Sequence, residues 1–177
     1  MLTTIQLLKE ALLNARETFE GTVADIKQEH LHKGPGGSAL PLAAAYAHLI
    51  LSEDMIVQNM LQGKSPLYET TWKDKTGASA VIPAMNENWE TAHATWAKSL
   101  KLDIPVFKEY SQAVYSETDK YLDILKEEDL EKEIDLGPMG KKTVVYLIYA
   151  FLIGHTNNLS GEISAIKGVH GAKGYPF

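Results

Sequence analysis

The chain has no cysteine. That excludes disulfides, a thiolate nucleophile and thiolate metal ligands, and it fits the reducing cytoplasm where the protein is expected to reside. There is also no long apolar run. The most apolar stretch, Val144 to Ile153, is about half the ~20 residues needed to span a bilayer, so it reads as a helix buried on most sides. The start, Met1-Leu2-Thr3-Thr4-Ile5, lacks a basic segment followed by an apolar one, so no signal peptide is expected. Positive charge is in deficit. Seventeen Lys and Arg face 23 Asp and Glu, a net charge of −6, which argues against a nucleic-acid or membrane partner.

Other signals are missing too. No strand-like alternation persists, and there is no internal repeat or low-complexity tract. The cluster Gly34-Pro35-Gly36-Gly37 follows a helical stretch rather than a strand, and no Gly-Lys-Ser/Thr is present, so it is not a phosphate loop. There is no Gly-x-Ser-x-Gly elbow.

What remains is an ordinary globular composition, 45% hydrophobic and 23% charged, in one domain over 1–177 with room for a proper core. Ile5, Leu8, Leu12, Ala15, Phe19, Val23 and Ile26 form one stripe, which predicts a helix over 3–27. Ser38 is the expected N-cap of a second helix that runs to Leu61 with Ala44, Ala47, His48, Leu51 and Met55 inward. Residues 62–85 lack a sustained period and contain Gly63, Pro66, Gly77 and Pro83. A loop of that length is expected to cross the molecule or cover a site. Trp89, His93, Trp96 and Leu100 suggest a short helix. Asp103 then caps a third long helix over 104–127. Residues 128–142 read as a connection with a short extended piece. Thr143 caps a fourth helix that runs to Lys167 and is stopped by Gly168 and Gly171. Four long helices with a long crossover between the second and third favour an all-α four-helix bundle.

Two histidines fall on inward lines: His48 on the second helix and His155 on the fourth, in the line Ile148, Leu152, His155, Leu159, Glu162, Ile166. Facing helices of a bundle build sites in this way, and neutral imidazole binds zinc, nickel or iron. A catalytic zinc takes three protein ligands, and only two are obvious here. Further candidates are Asn158 and Glu162. Glu162 is the better donor, but it stands two turns, about 10 Å, along the helix from His155. Ser52 lies one turn from His48, with no carboxylate evidently placed to orient the pair. His93, beside two tryptophans, is expected to be structural or superficial. His30, His32 and His170 are expected in surface loops.

Together these pieces resemble the DinB-like (YfiT-like) superfamily. The resemblance rests on His48 in Tyr46-Ala47-His48-Leu49-Ile50, on Glu128 to Ile134 and Gly140-Lys141-Lys142-Thr143, on His155 with Gly161-Glu162-Ile163, and on the ending Gly168-Val169-His170-Gly171 with Tyr175-Pro176-Phe177. It implies an up-down-down-up bundle, often a homodimer, that holds a divalent metal such as zinc or nickel with three histidines. It also implies a low-molecular-weight thiol as cosubstrate, as in S-transferases. Carried onto this chain, the ligands are His48 and His155, and the third position falls on Leu159, which cannot bind a metal. The expectation is therefore a bundle with a degenerate metal site that binds a small molecule. The alternative is a metal-dependent thiol transferase that recruits Glu162 or Asn158.

Overall fold

A computed structural model describes residues 2–177. Helix α1 (Thr4–Val23) begins in a capping box, in which the Thr3 hydroxyl accepts from the Gln6 amide and the Gln6 side chain accepts from the Thr3 amide. A one-turn helix, α2 (Gln28–Leu31), follows and buries Leu31. The second long helix is α3 (Leu42–Asp54), continued by a π-helical segment, Met55–Leu61. It starts at Leu42, not at Ser38, because a residue before proline avoids the helical region, so Leu40 cannot join a helix that passes through Pro41.

The crossover carries a single 3₁₀ turn, Leu67–Glu69, and helix α4 (Trp89–Ser99). Helix α5 (Ile104–Ile124) is capped by Asp103, whose carboxylate accepts from the Val106 amide. Two three-residue strands follow, β1 (Glu133–Asp135) and β2 (Lys141–Thr143), paired antiparallel with Ile134 opposite Lys142. They are too short for alternation to register in the sequence. The turn between them uses Gly137 and Gly140 at positive φ. The fourth long helix is built in three parts: α6 (Val144–Tyr146), a π-helical segment Leu147–Gly154, and α7 (His155–Val169). Thr143 caps it as expected, while Gly168 lies inside the last turn and Gly171 beyond it.

Side-chain pairs set the helix directions. Lys9, Arg16 and Glu20 of α1 meet Asp123, Asp119 and Tyr115 of α5, an antiparallel pairing. Tyr46 and Glu53 of α3 meet Ser111 and Thr118 of α5, a parallel one. Lys167 near the end of α7 bonds Thr22 and Asp25 at the end of α1, so the first and fourth helices run together. The second and third run the other way.

The core has two lobes. One joins Phe19, Tyr46, Ile50, Phe107 and Ile163, and the other joins Leu12, Ile56, Leu122, Ile148 and Leu152. Helix α3 lies at the centre and is buried on nearly every side from Leu42 to Asp54, with His48 the one residue only half-buried. Among the described residues no helix is long and apolar enough to cross a membrane.

Candidate functional site

His48, the one residue of α3 that is not fully buried, opens onto a cavity. Its volume is about 670 Å³, and it opens between the second and fourth long helices under the crossover. The floor is supplied by His48, Ser52, Met55, Ile56 and Met60, and one wall by Ala150, Phe151 and His155. The crossover contributes Tyr68, Glu69, Trp89 and the stretch Val81 to Met85. Both π-helical segments lie on this cavity, since Met55, Ile56, Asn59 and Met60 belong to one and Ala150 and Phe151 to the other. π-Helical turns are rare and gather at functional sites. All four methionines beyond residue 1 (Met55, Met60, Met85 and Met139) line this one space.

The fold brings His48 and His155 together, with their Nε2 atoms 3.1 Å apart. It adds a third ring, His93, for which a structural or superficial place was expected. His93 Nε2 lies 3.1 Å from Nδ1 of His48. His93 is not superficial. It sits between Trp89 and Trp96, with ring centroids 4.7 and 5.2 Å away, on the face by which α4 docks onto α3. The recurrence of Trp89, His93 and Trp96 at spacings of four and three was the available signal, because a helical face with two tryptophans packs inward.

The three imidazoles thus form a line, His93–His48–His155, with His48 engaged at both nitrogens. Burial pushes the pKa of His48 down to about 3, helped by the neighbouring His155 and His93. Burial also lowers His155 and His93. All three rings are therefore neutral near pH 7. Three neutral rings carry three N–H groups for two contacts, which leaves one N–H and one lone pair at the ends of the line.

The other candidates separate. Ser52 is buried on the cavity floor, and Asn158 is exposed at its rim. Leu159 is packed in the core among apolar side chains. Glu162, expected on the inner line, is exposed and does not line the cavity. The buried side of α7 carries Thr156, Leu159, Ser160, Ile163 and Lys167, and Glu162 lies roughly a quarter-turn off its centre. His155 stands near the same edge, but the cavity and His48 are there to receive it.

Of the positions implied by the resemblance, His48 and His155 therefore meet, and Leu159 at the third is a core side chain. Among the described residues no group of three or more His, Cys, Asp or Glu side chains is placed to hold one ion, because the third histidine lies on the far side of His48. The remaining histidines also have partners, and His30 lies in α2 rather than in a loop. His32 Nε2 accepts the Leu102 amide at 3.1 Å, and His30 stacks on His170.

Four long helices, a long crossover and histidines on the second and fourth helices define the class. A sequence model of the DinB superfamily matches residues 11–158, and the chain belongs to that superfamily. Its fold is similar to the crystal structure of a conserved protein from Enterococcus faecalis, with a TM-score of 0.73 and 22% identity over 96% of this chain and 98% of that one. No curated protein matches the chain.

Proposed function

We propose that this DinB-superfamily chain is a small-molecule-binding bundle in which His48 and His155 are polar anchors at one end of a largely apolar cavity. The observation that carries this reading is the cavity itself. It has the size of a ligand site, mostly apolar walls and a small cluster of convergent polar groups. The methionines suit a ligand whose shape the pocket must follow, because unbranched thioether side chains repack readily.

The first test is a titration of the intact protein with 6-phenylhexan-1-ol, read by the fluorescence of Trp89 at the cavity wall. Saturable binding below about 1 mM is expected for a ligand of that size. It should weaken at least fivefold when Met55→Trp fills the floor. No saturable signal, or one indifferent to Met55→Trp, would overturn the reading.

A second reading has one observation in its favour. Two Nε2 atoms 3.1 Å apart, with the other nitrogen of His48 held by a partner, is also how a metal-binding pair is oriented. On that reading His48 and His155 would hold a zinc or nickel ion whose role is to activate a low-molecular-weight thiol, and Asn158 is the remaining side chain near His155 on the cavity. Elemental analysis of tag-free protein, dialysed after addition of zinc or nickel, separates the two. About one ion per chain, lost in both His48→Ala and His155→Ala, supports the metal reading. No retained ion in the parent and stoichiometric retention in Leu159→His would show that the third ligand is what the site lacks.

A further inference from the structure

The charge pattern around the cavity says something about what enters it. No lysine or arginine lines it among the described residues, and the one formally charged side chain on its wall is Glu69, exposed at the mouth. The polar groups that line it are the exposed Asn59 and Asn158 amides, the Ser52 and Tyr68 hydroxyls, the Trp89 N–H and the two imidazoles. An anionic head would find no cation to pair with, and it would bring a like charge towards Glu69. A cation would find the reverse. Glu69 offers an opposite charge. The rings of Tyr68, Trp89 and Phe151 offer faces on which a cation is stabilised.

The field of Glu69 reaches the wall. Beyond burial, it is the next cause that holds the Tyr68 hydroxyl protonated, up to about 12. The net charge of −6 works in the same direction at long range.

Resting on the reading that this cavity takes a small molecule, we infer that its ligand is an apolar molecule bearing a protonated amine, seated with the cation at the mouth beside Glu69 and the apolar body against the methionine-lined floor. Neither a phosphate nor a carboxylate is the recognised group.

Three probes with one body and different heads test this: 6-phenylhexylamine, 6-phenylhexan-1-ol and 6-phenylhexanoate, each titrated into the intact protein at pH 7.5 and about 0.02 M salt. The expected order is amine, then alcohol, then carboxylate, with the amine at least about fivefold tighter than the alcohol. That advantage should fall below about twofold in Glu69→Gln, and likewise in the parent at 0.5 M salt. The alcohol itself should bind the variant and the parent equally. If the alcohol binds but the amine is no tighter, or if the carboxylate is the tightest of the three, the charge inference is overturned while the cavity reading stands. An amine advantage that persists unchanged in Glu69→Gln overturns the assignment of the cation to the mouth. If no probe binds, the cavity reading itself fails.

Discussion

Helix α3 carries two polar clusters into the core, and they are built on opposite principles. At Glu53 and Asp54 the groups are charged, nearly inaccessible and occupied. Glu53 pairs with Arg16 and accepts the Thr118 hydroxyl at 2.7 Å, and Arg16 also reaches Asp119 at 2.8 Å and lies over the Tyr115 ring. Asp54 accepts the Leu67 and Tyr68 amides at 3.0 and 3.1 Å and the Tyr110 hydroxyl at 2.7 Å. At His48 the groups are neutral, only half-buried, and leave hydrogen-bonding capacity at the ends of the line. The first cluster ties α1, α3, α5 and the start of the crossover together and faces no cavity. The second opens on one. Arg16 Nε is also buried without a partner, so spare capacity alone does not separate the two clusters; what does is that only the histidine line opens on a cavity.

This contrast is sharpest in stability. Glu53→Ala strands a buried guanidinium, so a loss of about 3–5 kcal/mol is expected in urea unfolding. A loss below about 1 kcal/mol would mean that Arg16 finds water or Asp119 sufficient. Asp54→Ala leaves two amides and a buried hydroxyl without their acceptor, and about 2–4 kcal/mol should go. Hydrogen exchange at Leu67 and Tyr68 should quicken in the same variant, because the crossover loses its first anchor. Unchanged protection at both amides would remove Asp54 from that role.

The histidine line should respond to pH instead. His48 titrates near 3 in the folded chain and near 6.5 when unfolded. Between those values the unfolded chain binds more protons, so stability is complete above about 6.5 and falls as pH falls towards 3. His48 alone should cost on the order of 1–2 kcal/mol by pH 5, with His93, His155 and His32 shifted the same way and adding to the slope. Denaturation curves at pH 7.5 and 5.0 should therefore draw together in His48→Gln. Equal slopes in parent and variant would deny that the ring is held neutral. The smallest effect belongs to Glu162→Ala. Its carboxylate is exposed and off the cavity, so stability should stay within about 0.5 kcal/mol and probe binding should not move.

The histidine pair was legible because helical periodicity aims side chains. His48 and His155 each fell on an apolar line, and two inward lines in one bundle tend to meet. Glu162 was misplaced by the same rule. A period assigns a face to within a fraction of a turn, and a residue at the edge of that face goes in or out according to what lies opposite. Core opposes Leu159, solvent meets Glu162, and a cavity receives His155. His93 needed more than periodicity, since its partner stands 45 positions earlier and belongs to another helix. The buried Glu53 and Asp54 were illegible for a related reason. Their partners Arg16, Thr118, Tyr110 and Leu67 are scattered over three other segments, and nothing local distinguishes them from surface carboxylates.

The amino-acid sequence by itself determined the helices, since the apolar spacing, the caps at Asp103 and Thr143 and the glycine and proline punctuation all act within a few residues. It also determined that thiolate chemistry would have to come from outside the chain, and that residue 159 offers no donor. The tertiary structure alone decided that α3 would be enclosed on nearly all sides, that the π-helical segments would face one cavity, and that the crossover would bring His93 to the far nitrogen of His48. Those outcomes depend on contacts between segments far apart in the chain. Their free energy comes from packing and desolvation, which local propensity does not encode.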